Sequence, residues 1–272
     1  MPADTRVNGG FPTPGLLAPV LAAFLALGGC GPSASDLASL DYTPVARDFI
    51  ASLPVRSGET ASMADTVPPT PREVLARYVE AVGGRTRLSA LETRILRGRE
   101  VDDRPYRGPR REIPLEAVAA FPDRWSVTHT DTLVEREWSD GQRVWRTRNG
   151  AAEATGGPVR TKASFLLDPR GPLRVEEYFP GLHLVGREVR NGRQVWVLNC
   201  DLDPTHYALS FDVETGLLVQ IGWYWTLEEY REVDGVLLAT RVVQSRKGGH
   251  TAWIWDEIVH NRTLPRGTFR GR

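Results

Sequence analysis

The side chains with metal-binding or nucleophilic chemistry are few in this 272-residue chain: five histidines and two cysteines. His129, His183, His206, His250 and His260 fall on separate expected strands or turns, and no pair has the spacing that sets two ligands on one helix face. They read as strand-end or surface histidines. Two cysteines, Cys30 and Cys200, make neither a disulfide framework nor a cysteine zinc site. Asp201 and Asp203 beside His206 are the one short acid-base cluster, and a polar loop between strands accounts for it. Ser164, Ser210 and Ser245 lack a glycine-flanked elbow, and Gly83-Gly84-Arg85 lacks the rest of a phosphate loop. The expectation is no metal, no cofactor and no catalytic residue. Only a cleft with convergent polar groups would restore an enzyme reading.

Cys30 has a different context. Leu16 to Leu27 reads LLAPVLAAFLAL, an apolar run of ~18 Å as a helix against a ~30 Å hydrocarbon core, so it is too short to span a bilayer. A short apolar run followed by small residues is a secretory signal pattern. Here the small residues end on cysteine, Leu27-Gly28-Gly29-Cys30, which resembles the lipobox of bacterial lipoproteins. That resemblance implies that residues 1–29 are a removable signal peptide and that Cys30 is the lipidation site, anchoring the protein to a membrane. Gly31 in place of aspartate after the cysteine implies the outer membrane, with the protein facing the periplasm. Cys200 then has no cysteine partner and reads as a small buried hydrophobe.

Charge bears on two partner classes. The chain has 34 basic and 34 acidic side chains and a pI near 7.0, so no global field favours nucleic acid or an anionic membrane. Of the cations only Lys162 and Lys247 are lysines, which leaves little room for Schiff-base chemistry. The arginines Arg107, Arg110 and Arg111 around Pro109 suit lipid headgroups, an acidic partner or a solvated loop.

These positions need elements to hold them. Residues 30–70 are rich in small residues, proline and acid, with little periodicity, and read as a flexible tether; a packed extension is the alternative. Thr70 and Pro71 start a helix, Val74, Leu75, Tyr78, Val79 and Val82 form its stripe, and Gly83-Gly84 stops it. From there to the end, residues 71–272 form one domain. Asn, Asp or Thr precedes Gly at 140–141, 149–150, 191–192, 215–216 and 234–235, a hairpin signal between flanks of period two. Strands are expected near 93–102, 110–119, 124–130, 134–138, 142–148, 182–190, 194–201, 207–213, 217–225, 227–233, 236–245 and 251–260. Short hairpin loops join antiparallel neighbours, so the fold class is mainly β (α+β), a curved antiparallel sheet or incomplete barrel.

One segment breaks the alternation. Residues 158–180 carry Phe165, Leu166, Leu167, Tyr178 and Phe179 around an interruption at Asp168-Pro169, as expected of short helices forming a lid over one sheet face. Under it the sequence sets two apolar stripes. Leu217, Val219, Ile221, Trp223 and Trp225 share one face of an expected strand, Trp253 and Trp255 share one face of another, and Gly222 bends the first. These seven are the candidate lining of a hydrophobic ligand site. Ordinary core beneath the lid is the competing reading, and both remain open here.

The succession of pieces is recognisable. It runs AVGG (81–84), ETRILRGREV (92–101), AFPDRW (120–125), SDGQRVWR (139–146), the helical insert, GREVRNGRQVWVL (186–198), SFDVETGLLV (210–219), YREVDGVLLATRVV (230–243) and WIWDEIVHNRTLPRGTF (253–269). This order resembles the outer-membrane lipoprotein-sorting family, LolA/LolB-like, over roughly residues 72–269. The resemblance implies a half-barrel under a helical lid that binds acyl chains, lipid or a lipoprotein, without enzymatic activity. A scaffold or accessory subunit of an envelope complex, with a self-filled core and an envelope protein partner, is the alternative.

Overall fold

The computed structural model describes residues 67–148, 150–202, 207–246 and 248–270. The expected signal peptide, Cys30 and nearly all of the expected tether lie outside the described residues, as do Asp203 and His206.

Helix α1 (Pro71–Ala81) starts where a side chain can take its free amides. Thr70 accepts from the Glu73 amide at 3.3 Å while the Thr70 amide donates to Glu73 Oε2 at 2.7 Å, closing a capping box. The helix buries Val74, Tyr78 and Val79 against the sheet. It ends at Gly83, whose φ of 124° is open to glycine. A Cβ there would also lie 2.4 Å from the Gly235 carbonyl oxygen, so the helix end rests directly on backbone. A short α2 (Gly84–Ser89) follows.

The strands are β1 (Thr93–Asp103), β2 (Arg111–Ala120), β3 (Arg124–Thr130), β4 (Val134–Asp140), β5 (Val144–Arg148), β6 (Ala151–Ala154), β7 (His183–Arg190), β8 (Arg193–Asn199), β9 (Leu209–Asp212), β10 (Leu218–Ile221), β11 (Trp225–Val233), β12 (Val236–Arg246) and β13 (Gly249–His260). All thirteen join one sheet in the order β6-β5-β4-β3-β2-β1-β13-β12-β11-β10-β9-β8-β7. Every neighbouring pair is antiparallel. The chain thus builds outward to one edge, β6, and restarts at the other, β7. The one long connection among the described residues, 155–182, must cross from edge to edge. It carries α3 (Lys162–Leu167), a 3₁₀ turn (Gly171–Leu173) and α4 (Val175–Tyr178) over the concave face.

Curvature has a local cause at the central pair. The β1–β13 register shifts between Arg97 and Gly98, and a bulge of this kind coils the sheet. A Cβ on Gly98 would meet the Ile254 carbonyl oxygen at 1.9 Å, so only glycine permits the approach.

Two expectations are corrected. β6 was not foreseen, since Ala151–Ala154 has neither β-branched residues nor alternation. The expected strand 217–225 is broken: Gly222 adopts φ 59° and donates its amide to the Ala208 carbonyl at 2.7 Å. β10 therefore ends at Ile221, residues 222–224 turn, and β11 begins at Trp225 rather than at 227.

The main core lies between sheet, lid and α1. On the opposite face Val118, Ala120 and Trp138 make a smaller cluster closed by Phe269 of the C-terminal tail. Arg136 ties that tail down, donating to the Thr268 and Arg270 carbonyls.

Candidate functional site

The lid and the sheet enclose a cavity of about 50 Å³. Phe165, Leu166 and Leu167 of α3 form its roof, while Leu96, Leu227, Val242, Trp253 and Trp255 of four adjacent strands form its floor. Tyr78 of α1 and the Val236–Ala239 stretch of β12 close one end. Its size admits a water or two, far below the ~300–1,000 Å³ of a typical ligand pocket. In this state the lid is shut.

The polar end of the cavity explains how it stays shut. Arg94, on β1 two residues before Leu96, is 2% exposed. Its Nη1 donates to the Asp168 carbonyl and its Nη2 to the Pro169 carbonyl, both at 3.2 Å, in the bend that follows α3. Burial pulls the guanidinium down to about 10, against the opposing pull of Asp168 and Tyr78. Arg94 Nε donates to His260 Nε2 at 3.3 Å, which leaves Nδ1 of a neutral ring facing Asp234 at 3.3 Å. Burial, with the Arg94 charge, lowers His260 to about 4.

A second set of contacts fixes the far side of the lid. The Asp168 carboxylate takes Arg174 at 2.6 Å and the Tyr178 hydroxyl at 3.0 Å. Arg174 also reaches Asp123, in the β2–β3 turn, at 2.8 Å and Glu177 at 2.7 Å. The lid is thus held by side chains at its joints, and by aromatic packing of Phe165 on Tyr178 and Phe179 at 5.4 and 5.1 Å.

The structure sorts the candidate residues. Trp253 and Trp255 face the cavity, with ring centroids 5.8 Å apart. Trp225 backs them, edge-on to Trp253 at 5.9 Å. Ile221 is core away from the cavity, Leu217 packs at the core margin, and Val219 turns to the opposite face with Val195, Val197 and Ala208. Trp223 is 50% exposed on the 222–224 turn. The stripe expected at 217–225 is kept at Ile221 and Trp225 but broken at Val219 and Trp223, because the register shifts between Leu218 and Gln220 and Gly222 ends the strand, so Leu218 turns inward with them. Of the lid residues, Phe165, Leu166 and Leu167 line the cavity and Tyr178 and Phe179 support it. Cys200 is buried, as a small hydrophobe would be.

Arg94, Leu96, Leu227 and Tyr230 were missed. Arg94 had a signal: in Arg94-Ile95-Leu96 a cation shares a face with an apolar residue, as a buried polar tie would. Among the described residues no group of three or more His, Cys, Asp or Glu side chains is placed to hold a metal ion.

No protein-family model and no curated protein sequence matches the chain. Solved structures do. A LolA superfamily protein from Nitrosomonas europaea is 12% identical with a TM-score of 0.52, the match covering 74% of this chain and 98% of that one. A DUF1329 family protein from Desulfovibrio piger matches at 12% identity and a TM-score of 0.52, over 73% of this chain and 96% of that one. At such identity the likeness establishes a shared fold.

Proposed function

We propose, starting from a domain that has the LolA-like fold, that it binds one hydrophobic ligand, an acyl chain of a lipid or lipoprotein, between lid and sheet, without catalysing a reaction. The observation that carries this reading is the composition of the closed cavity: apolar on roof and floor, with a lid fastened by a few hydrogen bonds at its joints. Apolar contact surface with a removable cover suits a chain of methylenes, each worth ~0.8 kcal/mol when buried. Because the closed volume is only about 50 Å³, uptake requires the lid to lift. The expected setting is the cell envelope, the protein anchored through lipid on Cys30 and meeting an envelope protein partner.

Titrating delipidated protein with a bromine-bearing fatty acid tests the reading. Quenching of the indole emission is expected, and it should shrink in Trp253→Phe and Trp255→Phe. No quenching at saturating ligand rejects it. The small cavity favours a second reading, a scaffold whose core is filled by its own side chains, and that same null result would select it. Anchoring is tested separately: Cys30→Ser should abolish acyl labelling and release the protein from membranes.

A further inference from the structure

Beyond Leu96, away from Arg94, the concave face turns acidic. Register carries the line of β1 past Leu96 and Gly98 to Glu100, which pairs with Trp253 of β13 and Ile113 of β2. Trp253 belongs to both regions, because it lines the cavity while its Nε1 donates to Glu100 Oε2 at 3.0 Å. The same oxygen lies 3.2 Å from His129 Nε2. Burial by itself would raise the Glu100 carboxyl; the contacts with His129 and Trp253 outweigh it and hold the group below the usual carboxylate range, ionised.

The other oxygen of that carboxylate is bare. Glu100 is 5% exposed, yet its Oε1 is buried with no hydrogen-bond partner among the described residues, an arrangement that costs the desolvation of a charged acceptor. A second carboxyl stands on the same face. Glu137 of β4 lies opposite Val127, a core residue, and two positions along from Glu135, the strand partner of His129. Burial pushes its carboxyl up to about 7, with Arg146 and His129 pulling the other way through space and without a hydrogen bond. The cations nearby are committed elsewhere. Arg146 turns to Glu153 at 2.8 Å, Arg104 pairs with Asp102 at 2.6 Å, and Arg111 is shared by Asp102 and Asp131 at 3.7 and 3.3 Å. Arg246 donates to Gln244 at 3.2 Å, and Arg94 gives its donors to the lid carbonyls and His260. One imidazole is left to serve two carboxyls, so the region is short of a positive charge.

We propose that the bare oxygen receives the ammonium group of a long-chain amine, an amphiphile whose chain lies between lid and sheet and whose head sits against Glu100, with Glu137 as the second acidic wall. An ammonium supplies both a hydrogen-bond donor for Oε1 and the missing charge, and the neighbouring indole of Trp253 favours a cation. A neutral head would supply only the donor, and a carboxylate neither. The inference rests on the acyl-chain reading of the cavity and adds to it the class of head group.

Calorimetry on the delipidated full chain with decylammonium, decanol and decanoate in neutral buffer tests it. Decylammonium should bind about tenfold more tightly than decanol, the worth of one charge-assisted hydrogen bond, and decanoate most weakly. In Glu100→Gln the preference for the amine over the alcohol should disappear. Should that variant fail to accumulate, Glu137→Gln decides, with the preference expected to drop about threefold on loss of a partly solvated charge. An amine bound by the parent no better than the alcohol or the acid overturns the proposal and leaves the acyl site standing. A preference that survives Glu100→Gln, or is untouched by Glu137→Gln, overturns it as well. If none of the three decyl compounds binds, the acyl-chain reading falls and this one falls with it.

Discussion

Arg94 carries a charge into an apolar cavity without a carboxylate hydrogen-bonded to it; its partners are two backbone carbonyls and one imidazole nitrogen. Its worth is therefore local to the lid. Arg94→Met keeps the stem and removes the donors, so amides of residues 162–178 should exchange about tenfold faster, equivalent to ~1.4 kcal/mol, while those of β1 and β13 hardly change. Unaltered exchange in the lid would show that something else fastens it. Glu137 offers a pH test. Burial raises its carboxyl to about 7, with Arg146 and His129 pulling the other way. Between its unfolded value near 4.5 and 7 the folded state binds more protons than the unfolded, so this group costs stability as pH rises through that window. Glu137→Gln should then be more stable than the parent at pH 8, by roughly 1–2 kcal/mol given partial solvent contact, with no difference at pH 4. Denaturant midpoints at the two pH values decide it.

Among the elements, the β1–β13 pair and the C-terminal tail are the sensitive ones. Gly98→Ala would place a methyl 1.9 Å from the Ile254 carbonyl, and the two central strands would have to part. A loss above ~3 kcal/mol is expected, read as a collapsed thermal midpoint or failure to accumulate; a near-normal midpoint would mean the pair is more pliant than its geometry. The tail is a strap whose anchor is Phe269, 8% exposed against Trp138. Phe269→Ala should cost ~3 kcal/mol and perturb the near-ultraviolet signal of Trp138, whose ring stacks on Trp145 at 6.5 Å. The elements were legible to unequal degrees. Asn191-Gly192 and Asp234-Gly235 take positive φ at both residues, the twist a tight hairpin needs, so those turns could be read from two residues. β6 could not, because a strand of alanines and one glutamate is held only by the neighbour it pairs with.

At the scale of the molecule the sheet is one piece and the lid lies on the one long crossing among the described residues, so under the proposed function ligand entry and lid motion would be a single event. Binding an acyl chain should bury apolar surface from lid and floor together. Calorimetry should report a negative heat-capacity change that grows with chain length, and a change near zero for all lengths would argue for a core already complete. Period two, turn pairs and the break at Asp168-Pro169 are local properties of the chain, and they sufficed for an antiparallel half-barrel with an inserted lid. The interior was decided elsewhere. Which residues of the 217–225 segment turn inward depended on a register shift at Leu218 and a left-handed glycine at 222, since a one-residue slip moves side chains to the other face. How much room remains depended on side-chain volumes brought together from α1, the lid and four strands, a sum over residues far apart in sequence that only close packing in three dimensions fixes.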